Sequence, residues 1–363
     1  MGDCFITRRG GGKSSGLYVW KKYELILPYL SFIGNEDFTL KTANTIKNWD
    51  GTLEYSTDTS TWNTWNGTEI SSSGSKLYLR GTGNTKITGD SFDYMFVFTG
   101  TNALKIACEG NIENLLDYET VSDDGHPTMA NYCYAYMFQG CKSLTTAPAL
   151  PATTLVYGCY QDMFRACTSL TTAPELPATT LAGFCYSGMF HGCTALTAAP
   201  ELPATTLANY CYNNMFYGCT SLTTAPELPA TTLASSCYQN MFNRCMSLAT
   251  PPSVLPATRL ATNCYRFMFE FTAINAIPRI MATTYTTDSC KGMFDDIKTL
   301  NVYSTSGTGH TYGWTAPSSA SSYCSGMFGS DDGESEWAKL DGSNFPNSGT
   351  PTDGTTYYFK TVS

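Results

Sequence analysis

From Cys133 to Cys290 the chain writes one phrase repeatedly: CYNNMFYGCTSLTTAPELPATTLA at 211–234 nearly duplicates CYSGMFHGCTALTAAPELPATTLA at 185–208. The pattern C-Y-x-x-M-F begins at Cys133, Cys159, Cys185, Cys211 and Cys237, each 26 residues after the last, and continues with drift at Cys264 and Cys290. YCSGMF at Cys324 reads as a worn copy, and so does SFDYMF with Met95 and Phe96 upstream. Such a unit is too short to bury its own apolar face, so neighbouring units must stack to share a core.

Within residues 211–219, Cys211, Met215 and Cys219 are spaced i, i+4, i+8, and Tyr212, Met215, Phe216 and Cys219 fall at i, i+3, i+4, i+7. That spacing predicts a short helix with one apolar stripe. The Thr-rich SLTTAP that follows predicts a short strand limited by proline, and LPATTL a Pro-bounded turn. The expected fold is therefore an α+β repeat solenoid of 26-residue helix–strand units, with strands of adjacent units about 4.8 Å apart. Residues 38–90 alternate apolar and polar residues between WDG, WNG, SSG and GTG, which predicts a small N-terminal antiparallel β domain capping the open end of the solenoid. The expected layout is 1–37 as an arm and docking segment, 38–90 as the β domain, 91–328 as the solenoid, and 329–363 as a cap with TTYYFKTV as a closing strand.

The units, with Phe216-Tyr217-Gly218-Cys219, then Ser221-Leu222-Thr223, then a turn led by Pro226, resemble the BspA-type leucine-rich repeat. The resemblance covers about residues 91 to 328 and implies a leucine-rich-repeat-like array. These units are longer than that family's, and AP-x-LP replaces a cleaner strand, so curvature and strand register do not follow from it. The opening MGDCFITRRGGG with GLYVWKKYE resembles the starts of tail-associated structural proteins of tailed bacteriophages, over about 25 residues.

Ten of the 15 cysteines form pairs at i, i+8: Cys133/Cys141, Cys159/Cys167, Cys185/Cys193, Cys211/Cys219 and Cys237/Cys245. Across a helix, that spacing separates the members by about 12 Å, beyond the roughly 7 Å a disulfide spans. Bridges between units stay open, although Thr272 and Lys298 replace the second cysteine in later copies. No C-x-x-C occurs, and His126, His191 and His310 are scattered, so zinc spacing is absent. The reading is that the thiols pack as small hydrophobes.

Net charge is −9 with no basic run, which argues against nucleic acid as a partner. No apolar run is long enough to span a membrane, and the opening lacks a signal-peptide core. GGGKSSG lacks the phosphate-loop frame, and no cofactor is expected. No G-x-S-x-G and no Cys/His pair in a unique segment occurs, so an enzyme is not expected.

Comparison among copies shows which positions the stack does not dictate. After Met-Phe the residues run Gln139, Arg165, His191, Tyr217, Asn243 and Glu270, and before the first cysteine stand Tyr157, Phe184 and Tyr210. Arg165, His191, Tyr217, Asn243, Tyr157, Phe184 and Tyr210 are the candidate ligand-binding residues, although drift of exposed positions gives the same pattern. Glu175, Glu201 and Glu227 form a row that either offers oxygens to a calcium ion or is a solvated edge. Trp62 and Trp65 are a sugar-stacking pair or core.

These features lead to a bacteriophage virion protein, tail-associated or fibre, held to other virion proteins through its N-terminal region. Its array would engage a host-surface glycan or protein once lysis releases the particle. The alternatives are a purely structural or decoration component of the virion and a bacterial surface adhesin. Homo-oligomerisation stays open, since no heptad run marks it.

Overall fold

The computed structural model describes residues 27–44, 47–91, 95–274, 278–282, 284, 286 and 288–294, together with the backbone of three short strands farther on. The expected N-terminal arm to residue 26, Lys298, and residues 323–326 of the copy at Cys324 lie outside the described residues, while Met327 and Phe328 of that copy open the first of those strands.

The first part of the chain folds as its alternation dictates. Eight strands follow one another: β1 (Leu30–Gly34), β2 (Thr39–Thr42), β3 (Thr52–Ser56), β4 (Asn63–Trp65), β5 (Ile70–Ser71), β6 (Lys76–Thr82), β7 (Phe96–Thr99) and β8 (Ile106–Glu109). One sheet runs β4-β3-β6-β1-β8, and the other runs β5-β2-β7, all antiparallel. Along β6, Leu77 and Leu79 are fully buried while Lys76 is exposed, as a strand with one covered face requires. Phe32 of the first sheet meets Phe98 and Phe96 of the second, at ring distances of 5.2 and 6.4 Å. Helix α1 (Asn114–Ser122), broken at Asp117, presses on β6 so closely that a Cβ on Gly81 would stand 1.7 Å from the Leu115 carbonyl oxygen. Only glycine fits there.

The repeats then stack directly on this β region. Strand β9 (Leu144–Thr146) joins the first sheet as a parallel neighbour of β8. Farther along, Phe96 N–H donates to Met137 O at 2.7 Å and Ile87 N–H to Cys133 O at 2.9 Å. The β region thus offers its own backbone as the first rung, and the edge of the stack is covered there. The buried residues form one continuous core from Leu30 to Phe294.

The described units contain no helix, which corrects the expected helix–strand solenoid. Among the described residues α1 is the one helix, and it lies outside the repeats. In residues 158–167 the backbone N–H groups alternate. Gln161, Met163, Arg165 and Cys167 donate three residues back, to Gly158, Tyr160, Asp162 and Phe164, while Gly158, Tyr160, Asp162, Phe164 and Ala166 donate to Gly183, Cys185, Ser187, Met189 and His191 of the next unit. A helix would spend every N–H on itself. Here every second one ties a unit to its neighbour.

The reason is written at every fourth residue. Gly158, Asp162 and Ala166 have φ of 61°, 51° and 59°; in the next unit Phe184, Gly188 and Gly192 have 58°, 62° and 72°. A left-handed residue every four positions breaks a helix into consecutive turns. In residues 159–166 each turn buries its first two side chains, Cys159-Tyr160 and Met163-Phe164, and leaves its last two partly exposed. The inward period is four, not 3.6, and i, i+4, i+8 fits both.

The strand part shrinks as well. Beyond β9 the repeats pair mostly through single residues in parallel register, Thr172 with Ala198, Thr224 with Thr250, Thr154 with Thr180, and Thr206 with Thr232. Two-residue strands β10 (Val254–Leu255) and β11 (Arg279–Ile280) pair the same way. The last pairs of the single-residue set fall in LPATTL, so this expected turn is part of the ladder. At the C-terminal end, β12 (Met327–Ser330), β13 (Ala338–Lys339) and β14 (Tyr358–Thr361) form a separate antiparallel sheet in the order β13-β12-β14.

Inside, equivalent side chains stack. Phe138, Phe164, Phe190, Phe216, Phe242, Phe269 and Phe294 lie 5.5–5.8 Å apart with nearly parallel rings. Tyr134, Tyr160, Tyr186, Tyr212, Tyr238 and Tyr265 form a second column at 5.6–5.9 Å. The second cysteine of each unit caps a carbonyl: Cys167, Cys193, Cys219 and Cys245 Sγ donate to the Phe138, Phe164, Phe190 and Phe216 oxygens at 3.0–3.1 Å. Cys141 does the same to Phe96 O at 3.2 Å, so Phe96 stands at the foot of the phenylalanine row although its backbone is a strand.

Candidate functional site

The outward half of each turn carries the residues that vary between units. Arg165 sits 3.5 Å from Asp162 through Nη1 and Oδ1. His191 lies on Tyr217, ring centroids 4.7 Å apart, and the Tyr217 hydroxyl accepts from Arg244 Nε at 2.8 Å. Asn243 is buried and donates to Glu270 Oε2 at 2.5 Å. Contacts between successive units thus link His191 to Tyr217 and Asn243 to Glu270.

Burial, and secondarily the neighbouring Arg165 charge, lowers the His191 pKa to about 4. The imidazole is therefore neutral near pH 7, and this stretch of the row carries the Arg165 charge alone.

The second row is aromatic. Tyr157 meets Phe184 at 5.5 Å, and Phe184 stacks on Tyr210 at 4.6 Å with an interplanar angle of 13°. Tyr132, which the comparison of copies did not single out, extends it, 5.4 Å from Tyr157. Where the units at Cys133, Cys185 and Cys211 place an aromatic directly before the first cysteine, Gly158 stands instead, and a Cβ there would meet the Tyr132 ring at 2.5 Å. Tyr157, one residue earlier and 39% exposed, fills the row. Stacking of Phe184 on Tyr210 occupies a face of each ring, so a ligand would meet these two partly at their edges.

Glu175, Glu201 and Glu227 are exposed, and Glu227 accepts the Ser253 hydroxyl at 2.8 Å and its N–H at 3.1 Å. The three do not gather into a metal-holding group, and among the described residues no cluster of His, Cys, Asp or Glu does. The two tryptophans part: Trp65 is buried against Trp49 at 5.3 Å, while Trp62 is half-buried with the Arg80 guanidinium 4.1 Å from its ring centroid. They form no sugar-stacking pair.

The thirteen described cysteines are buried and free. Burial pushes the thiols of Cys141, Cys193, Cys237 and Cys245 up to about 12, which removes the reactive thiolate. At the joint with the β region, Glu113 is buried with Oε2 2.8 Å from His126 Nδ1. Burial raises its carboxyl pKa, and the hydrogen bond and charge of His126 oppose the rise. Among the described residues no helix is long and apolar enough to cross a membrane.

Three residues on the outward side escaped the comparison of copies: Tyr132, Arg244 and Phe271. For the last two the signal was present, since Gly192 and Gly218 hold the same position in sister units. Comparison of the chain with protein families, with curated proteins and with solved structures found no match.

Proposed function

We propose that this chain is a non-catalytic virion component of a tailed bacteriophage, and that the outward side of its turn ladder binds a host-surface glycan or protein. The observation that carries the reading is the contrast between an inward half repeated almost without change and an outward row running Gln139, Arg165, His191, Tyr217, Asn243 and Glu270. A rigid scaffold that varies on one side alone is suited to display.

Two further points support it. Thirteen buried free thiols fit a chain that folds in a reducing compartment and leaves it already folded, as a virion protein does on lysis. The start of the chain resembles tail-associated proteins, and its N-terminal region is proposed to attach to other virion proteins. The same residues recur in every unit, whereas catalysis needs a singular site.

Binding of the full chain to intact candidate host cells, beside a variant with Arg165, His191 and Tyr217 changed to Ser, tests the reading. Binding lost in the variant supports it. Full binding by the variant moves the receptor site elsewhere. Binding by neither protein favours a second reading, a structural spacer, for which the self-stacked Phe184 and Tyr210 rings speak.

A further inference from the structure

The outward rows change character along the array. At the left-handed residue before the second cysteine the units carry Gly140, Ala166, Gly192 and Gly218, then Arg244 in its unit and Phe271 before Thr272, with φ of 62° and 55° for the last two. Glycine adopts this φ freely, whereas a large side chain is strained there. Two consecutive units thus hold bulky groups where the scaffold is best served by none.

These groups meet. The Arg244 guanidinium carbon lies 4.9 Å from the Phe271 ring centroid, and Arg244 Nε donates to the Tyr217 hydroxyl at 2.8 Å. Beside them Asn243, only 4% exposed, donates through Nδ2 to Glu270 Oε2 at 2.5 Å and to Asn240 Oδ1 at 3.4 Å. Its own Oδ1 is buried with no hydrogen-bond donor from the protein. A buried, unpartnered acceptor is uncommon and calls for a ligand or another explanation.

We infer that Tyr217, Asn243, Arg244, Glu270 and Phe271 form a subsite for a neutral pyranose sugar of a host-surface glycan; this rests on the reading that the outward side of the array binds such a surface. The Arg244 and Glu270 charges offset each other, so nothing in the cluster favours an ionic ligand. Acceptors at Asn243 and Glu270 stand beside the N–H donors of Arg244. Adjacent sugar hydroxyls, each both donor and acceptor, complement that set. Tyr217 and Phe271, each with one face covered by His191 and Arg244 respectively, add the rest of their apolar surface for the C–H side of the ring.

The test uses the full chain with a panel of neutral oligosaccharides lacking sialic acid, uronic acid and sulfate, and in parallel with intact host cells. Arg244→Gly restores the residue of the sister units, so its melting temperature should hold or rise. The expected result is neutral-glycan binding by the wild type that weakens by about tenfold or more in Arg244→Gly and in Asn243→Ala. Glycan binding unchanged in both variants overturns the subsite. Cell binding lost in Arg244→Gly without any affinity for the neutral panel overturns the ligand class. Wild-type glycan and cell binding that survive Arg244→Gly, yet cell binding lost in the Arg165/His191/Tyr217 variant, sinks the subsite while the binding face stands. No cell binding by the wild type defeats the reading beneath it.

Discussion

The β region and the repeat array bury their apolar side chains by different backbone rules. In the β region the inner strands pair with a neighbour on each side, and β6 alternates between core and partly exposed positions with a period of two. In the turns of the array, as in residues 158–167, every second N–H is satisfied within the unit and the others donate to the next copy. The first region holds together through pairing that its sequence alternation announces. The second holds together through turns whose inward period of four imitates a helix. A spacing of i, i+4, i+8 therefore identifies a buried face but not the backbone that makes it.

The largest expected effect falls on the aromatic column. Phe190 is stacked on Phe164 and Phe216, 5.7 and 5.6 Å away, and is fully buried. Phe190→Ala should cost about 3–5 kcal/mol, whereas Phe98→Ala, at a half-buried ring of the β region, should cost less. Denaturant unfolding of both variants measures the difference. Equal losses would mean that a ring of the stacked column contributes no more than a half-buried ring of the β region.

A smaller effect is expected at the thiols. Cys193→Ala removes a buried side chain and the Sγ–H bond to Phe164 O, for a loss of about 1–3 kcal/mol. The same cysteines should resist a thiol reagent in the native state and react once denaturant unfolds the chain. Rapid native labelling of array thiols would contradict their burial.

The smallest expected effect is on pH dependence. The His191 pKa is lowered to about 4 from 6.5, so on acidification the unfolded chain takes up this proton first. Stability should fall as pH drops below about 6.5, and this contribution should be complete below about 4. Because His191 is half-buried the slope is modest. His191→Asn, which borrows the residue at Asn243, should flatten it in unfolding curves taken across that range. An unchanged slope would show that the ring is not held neutral by its setting.

Much of this was legible in the sequence. The repeat, its register, the buried Cys, Tyr, Met and Phe positions and the outward row all follow from lining up the copies. Strands β2 to β6 follow from alternation between turn residues in 38–90, whereas β1 precedes that span and β7 and β8 lie within the expected solenoid 91–328. The backbone of the units is the part that spacing does not give, because Cys211, Met215 and Cys219 satisfy a helical template and a period of four alike. The corrective signal was the neighbouring set: Asn214 and Gly218, Gly188 and Gly192, Asp162 and Gly158 all sit four apart and favour positive φ. The stacking distances, the thiol-to-carbonyl bonds and the meeting of Arg244 with Tyr217 depend on two units at once, so one unit's sequence does not reveal them.

One substitution separates the turn ladder from a helix by the sign of its effect. Gly218 has φ of 70°, and the nearest atom to an added Cβ, Gly192 Cα, is 4.0 Å away, so Ala fits without a clash. In a helix Gly218→Ala would stabilise the chain by about 0.8–1.0 kcal/mol. In the turn ladder it forces alanine into a left-handed residue and should destabilise by about 1–2 kcal/mol. Equilibrium urea unfolding of wild type and Gly218→Ala decides it. A lowered midpoint is the predicted result, and a raised midpoint would contradict the account.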